Sequence, residues 1–136
     1  MDASKYLRRY RRLIVEVEHN RIKMQRLRGL CEQITVDMTR EKVQSSGSKD
    51  KLGETVARLA DLEAETLDKV NEALDAMNDI EELINQLDDT DQAEILQMMY
   101  IEGYNALRVA NVLGCSPATV YRKREKALRN IEKLAE

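Results

Sequence analysis

Tryptophan and phenylalanine are absent from this 136-residue chain, and its aromatic content is five tyrosines. A large compact core is therefore not expected; extended helices that each bury one stripe reconcile a thin core with a high charge. Proline occurs once, at Pro117, and glycine five times, while the strong helix formers Ala, Leu, Glu, Lys, Arg, Met and Gln dominate. An all-α fold is expected. The chain has no apolar run as long as a membrane span and no apolar N-terminal block of the signal-peptide kind, so the expected location is cytoplasmic, with no membrane partner. Its two cysteines, Cys31 and Cys115, lie in different segments without a partner at ligand spacing, and read as thiols of a reducing compartment rather than a disulfide or a metal pair.

Net charge is only −3, but it is unevenly spread. Residues 1–43 carry eleven Lys/Arg against six Asp/Glu, residues 44–87 four against eleven, and residues 88–136 seven against eight. The first arm is basic and the second acidic. In the last segment Arg122, Lys123, Arg124, Lys126, Arg129 and Lys133 fall together, so a nearly neutral stretch can still attract phosphates with one face.

Apolar residues recur at alternating spacings of three and four through Tyr6, Tyr10, Leu13, Val17, Asn20, Met24, Leu27, Cys31, Ile34 and Met38. This predicts a helix from about Ala3 to about Lys42, too long to stand without a partner. Asn20 interrupts the row; it either sets register or oligomeric state, or marks where the partner ends and water begins. Residues 44–53, QSSGSKDKLG, are small, polar and aperiodic and predict a loop. A second row, Val56, Leu59, Glu63, Thr66, Val70, Ala73, Met77, Ile80, Ile84 and Leu87, thickened by Ala60, Leu67, Leu74 and Leu83, predicts another long helix over 54–87. Two such helices form an antiparallel hairpin or coiled coil, within one chain or between chains, with charge selecting the partner and apolar burial holding it. Residues 1–87 are thus expected to be an oligomerisation or partner-binding region, and residues 88–136 a separate domain.

Thr90 is the expected cap of a helix over 91–102 that turns Ile95, Leu96, Met98, Met99 and Tyr100 inward, and Gly103 lets the chain leave. Asn105 is placed to cap a short helix with Leu107, Ala110, Val112 and Leu113 as its buried contacts. Gly114 then supplies a left-handed position, and Ser116 caps a final helix with Pro117 in its first turn. Val120, Ala127, Leu128 and Ile131 share one face of that helix. Such a helix-turn-helix places first-turn residues in a major groove, so Ala118, Thr119, Tyr121 and Arg122 are the candidate base readers. Arg122 is suited to a bidentate contact with guanine. Arg124, Lys126 and Arg129 are the candidate phosphate contacts.

The stretch ILQMMYIEGYNALRVANVLGCSPATVYRKREKALRNIEKL resembles region 4 of bacterial sigma factors and the small regulators that share it. Ala110, Leu113, Gly114, Ser116, Pro117, Val120, Ala127 and Leu128 fall on its core and turn positions. The resemblance implies a promoter-reading helix over 116–126 with Thr119 and Arg122 forward. Arg124 departs from the pattern, standing where that family keeps an apolar residue, and nothing in residues 1–87 is similar to the aromatic-rich melting region of a complete sigma factor. The whole layout is similar to small phage and prophage regulators of Gram-positive bacteria.

His19 has no second His or Cys at ligand spacing, and no Ser/His/Asp or Cys/His arrangement is marked, so neither a metal, a cofactor nor an enzyme is expected. The expected function is sequence-specific binding of duplex DNA and regulation of phage transcription by a homo-oligomer, with host RNA polymerase as a further candidate partner. The alternatives are a phage small terminase subunit recognising a packaging site and a coiled-coil protein-interaction adaptor.

Overall fold

A computed structural model of the chain describes residues 1–40 and 46–136, with the side chain of residue 46 left out. The fold is all-helical: α1 (Ala3–Arg40), α2 (Ser46–Asn85), α3 (Thr90–Leu96), a π-helical turn (Gln97–Ile101), α4 (Ala106–Leu113) and α5 (Pro117–Leu134). The predicted end of the first helix near Lys42 and the start of the predicted loop, residues 44 and 45, lie outside the described residues. The rest of that loop is helix from Ser46 onward. Gly47 and Gly53 each cost an α-helix roughly 1 kcal/mol, and without a proline that is too little to break it when Leu52 and Thr55 join a packed row just beyond.

The chain divides into two compact units. In the first, Val15–Asn71, the two long helices run antiparallel, as the ion pairs Glu16–Lys69 (2.9 Å) and Arg28–Glu63 (3.2 Å) require. From α1 the predicted row Val17, Asn20, Met24, Leu27, Cys31, Ile34 and Met38 turns inward throughout. On α2 the inner row is Leu52, Thr55, Leu59, Leu62, Thr66 and Val70; Val56, Ala60, Glu63 and Leu67 from the predicted row are exposed. Two apolar rows run side by side on this helix. Buried Thr55 and Thr66 sit in the inner one because each hydroxyl donates back to its own helix, to the Lys51 and Leu62 carbonyls at 2.7 and 2.6 Å.

The second unit comprises Met1–Ile14 and Glu72–Glu136. Its helix-turn-helix is built onto the first turns of α1 and the last of α2. One buried cluster joins Ala3 and Leu7 of α1, Ile80 and Ile84 of α2, Leu96, Tyr100, and Ala127, Leu128 and Ile131 of α5. A second joins Ile95, Met98, Ala106, Val109, Ala110 and Val120, and Met99 packs against both. The single helix expected over 91–102 is α3 followed by a π-helical turn, closed by the Glu102 N–H donating to the Gln97 carbonyl at 3.1 Å; Met98, Met99 and Tyr100 turn inward as predicted, Met98 into the second cluster and Tyr100 into the first. In α2, Leu74 is exposed while Ala73, Ala76, Ile80 and Ile84 are buried, so Leu74 does not thicken the inner row.

Polar contacts finish the unit. The Ala3 N–H, free at a helix start, donates to Glu132 Oε1 of α5 at 3.2 Å. Gln92, buried, accepts from Asn130 Nδ2 at 2.8 Å. Gly103 has φ +78°, and the Arg11 guanidinium stands where a Cβ on it would be.

Candidate nucleic-acid interface

The corner between α4 and α5 is set by local chemistry. Asn105 Oδ1 accepts from the Arg108 N–H at 2.8 Å and opens α4. Its buried face is Ala106, Val109 and Ala110, with Leu113 half-buried; Leu107 and Val112, predicted as contacts, are about three-fifths exposed. The reason is spacing: 106, 109, 110 and 113 form one stripe at i, i+3, i+4 and i+7, and 107 and 112 fall outside it.

Gly114 adopts φ +70°, ψ +36°, and the Cys115 N–H donates to the Ala110 carbonyl at 3.0 Å, a Schellman-type ending. Cys115 packs, half-buried, against the second cluster. Ser116 Oγ then accepts from the Thr119 N–H at 3.2 Å, with Pro117 in the first turn of α5. The two helices are therefore separate elements, and α5 packs on α3 and α4. Ser116→Ala is expected to cost about 1 kcal/mol, read as a lower denaturant midpoint with an unchanged slope. An unchanged midpoint would show that the Ser116 hydroxyl does not stabilise the start of α5.

At the other end of the site Asp89, not Thr90, caps α3, its Oδ1 accepting from the Gln92 N–H at 3.1 Å. The run of three aspartates around Thr90 offers a stronger acceptor one residue earlier, and Thr90 becomes the first helical residue.

On α5, Val120, Ala127, Leu128 and Ile131 are buried as predicted. Arg124 takes the remaining place in that stripe. Its side chain is 22 % exposed, its guanidinium lies 5.1 Å from the Tyr121 ring, its Nη2 reaches Glu125 at 3.0 Å, and its buried Nε has no partner among the described residues. The stem thus substitutes for the apolar residue the resemblance leads one to expect, and the second half of α5 stays buried. So placed, Arg124 is committed to Tyr121 and Glu125 rather than to solvent. Lys123 is likewise engaged: it donates to Asp91 Oδ2 at 2.7 Å, a bond that holds its ammonium above the usual lysine range.

The opposite face of α5 is different. Ala118, Arg122, Lys126 and Arg129 are exposed, and Lys133 continues the row at i, i+4, i+7 and i+11 from Arg122. None of these four cations enters a described ion pair. Lys133, not among the expected phosphate contacts, is marked by the same spacing. Thr119, half-buried, shares a 2.9 Å hydrogen bond with Ser116 Oγ, so its hydroxyl belongs to the cap; Tyr121 is about half exposed beside the row. Arg108 on α4 is stacked on Tyr104 at 3.8 Å. A groove in the same unit contains Glu81, Glu94 and Glu102 and is no place for a phosphate.

No helix among the described residues is long and apolar enough to cross a membrane. Residues 33–132, which take in α4 and α5 as far as Glu132, match the family model described as "Protein of unknown function (DUF1492)". No curated protein and no solved structure matches the chain.

Proposed function

We propose that this chain, which belongs to the DUF1492 family, holds duplex DNA in the major groove with the opening turns of α5, and regulates phage transcription in the cytoplasm of a bacterial host. The observation that supports this is the row Arg122, Lys126, Arg129 and Lys133, four exposed cations on the side of α5 away from the core, directly after a capped corner. Ala118, exposed and small, lets the first turn approach base edges closely. Arg122 is the base reader, its fork matching guanine O6 and N7; Lys126, Arg129 and Lys133 meet phosphates and set position. Thr119 and Tyr121 flank the contact, and Arg124 acts by packing. One reading head per chain binds weakly, so heads are joined in a homo-oligomer, which raises the effective concentration of the second. The long helices are the part free to meet RNA polymerase.

Selection from random duplexes with purified protein at several salt concentrations tests the reading. A short shared motif is expected, with log affinity falling linearly in log salt by about 0.9 per phosphate contact. Salt-dependent retention without a motif would reduce the protein to a polyanion binder. Recovery of a packaging site instead of promoter-like sequence would move it to the terminase class.

A further inference from the structure

The first turns of α1 carry a second cationic row on the unit that holds the helix-turn-helix. Residues 1–14 contain five cations, Lys5, Arg8, Arg9, Arg11 and Arg12, against one carboxylate, Asp2. Residues 15–40, which belong to the other unit, are nearly balanced, with five cations and four carboxylates. The positive excess stops where α1 leaves the unit of the reading helix.

Two of the five cations serve the fold. Arg9 Nη2 reaches Asp79 of α2 at 3.3 Å, and Arg11 Nη1 donates to the Ile101 carbonyl at 3.5 Å with its guanidinium over Gly103. The other three, Lys5, Arg8 and Arg12, are exposed on the side of α1 away from buried Ala3 and Leu7, at i, i+3 and i+7. The nearest carboxylates on α1 itself are already engaged: Asp2 Oδ1 accepts from the Lys5 N–H at 3.2 Å, and Glu16, four residues past Arg12, holds Lys69 at 2.9 Å. None of the three cations enters an ion pair among the described residues.

This row begins where the row on α5 ends. The Ala3 N–H donates to Glu132 Oε1 at 3.2 Å, Glu132 precedes Lys133, and Leu7 shares a cluster with Leu128 and Ile131 of α5. The start of α1 is thus pinned to the end of α5. The make-up of the row selects its occupant. Between Met1 and Val15 no large apolar side chain is exposed, so the row offers charge without an anchor for lipid or for an apolar protein surface. A nucleic-acid backbone needs only the charge, and two of the three cations are arginines, whose planar fork fits a phosphate.

We infer that Lys5, Arg8 and Arg12 are a second phosphate-binding row, which holds the backbone of the duplex outside the stretch read by α5. This rests on the reading of α5 as the groove-binding helix, and adds affinity without sequence preference. The test compares the full chain carrying Lys5→Gln, Arg8→Gln and Arg12→Gln with the unaltered chain on the selected duplex over a salt series. Affinity should fall at least tenfold and the salt slope by about 2–3, with the selected motif, helicity and melting temperature unchanged. Lys5→Arg, Arg8→Lys and Arg12→Lys together keep the charges and should keep the slope. Extending a duplex beyond the motif on both sides should strengthen binding by the unaltered chain but not by the glutamine variant. The two claims fail separately: Arg122→Ala with Arg129→Ala removes the motif if α5 reads bases, whereas the glutamine variant keeps the motif and loses slope. An unchanged slope in the glutamine variant would overturn the proposal with the α5 reading intact, and would assign the row to an acidic protein surface. Equal loss of slope in the charge-keeping variant, or equal gain by both chains on the extended duplex, would overturn it as well.

Discussion

Replacing Arg122 and Arg129 together by alanine is expected to weaken duplex binding by at least tenfold while leaving the fold intact. Both side chains are exposed on the face of α5 away from Val120, Ala127, Leu128 and Ile131, so stability should move by no more than about 0.5 kcal/mol. The two losses differ in kind. Arg122 in a bidentate contact contributes about 1–3 kcal/mol of discrimination against a wrong base, so its removal relaxes specificity at one position of the selected motif. Removing Arg129 should weaken all sequences alike and reduce the salt slope by about 1. Arg122→Lys keeps the charge but loses the planar fork, and should restore affinity more than specificity. Unchanged DNA retention by the double variant would make groove binding by α5 untenable.

Leu7→Ala is expected to destabilise the helix-turn-helix, although Leu7 stands near the opposite end of the sequence. Its side chain is fully buried in the cluster with Ile80, Ile84, Leu96, Tyr100, Leu128 and Ile131. Truncating a leucine so enclosed costs about 2–5 kcal/mol, part from lost transfer and part from the cavity left behind. For a unit of this size that lowers the melting temperature by on the order of 10 °C, measurable by circular dichroism. Because Leu128 and Ile131 of α5 share the cavity wall, DNA retention should fail at a lower temperature in step with the melt. A melt within 1–2 °C of the unaltered protein would show that the helix-turn-helix does not depend on α1.

Much of this was readable residue by residue. From Val17 to Met38 the inner row of α1 appears in the structure as the spacing of three and four sets it out; in the first turns the fully buried residues are Ala3 and Leu7, with Tyr6 and Tyr10 of the predicted row only partly buried beside them. Asn105, Gly114, Ser116 and Pro117 do at the corner what their side chains and backbone freedom dispose them to do, because capping and left-handed turns depend on groups within three or four residues. Where two apolar rows competed, spacing alone chose wrongly. On α2 the spacing points to Leu67 and Leu74, whereas Leu62 and Thr55 face inward; on α4 it points to Leu107 and Val112, whereas Ala106 and Val109 are buried. Hydrophobicity does not say which of two adjacent stripes meets a neighbour; the neighbour's surface does. A small, polar, aperiodic stretch such as 46–53 still forms helix, since Gly47 and Gly53 each cost it only roughly 1 kcal/mol.

Arg124 shows the same division within the candidate site. Its charge placed it among phosphate contacts, and only the packing of α5 against its neighbours shows that its position in the buried stripe leads its guanidinium over Tyr121 and to Glu125. The all-α class, the inner row of α1 and the chemistry of the corner were decided by the order of residues, since helix propensity, seven-residue spacing and caps act over a few neighbours. Which stripes are buried, which cations stay free, and that Ala3 and Leu7 complete the core beneath α5, were decided by tertiary packing, because burial is a property of two surfaces meeting and no single segment carries both.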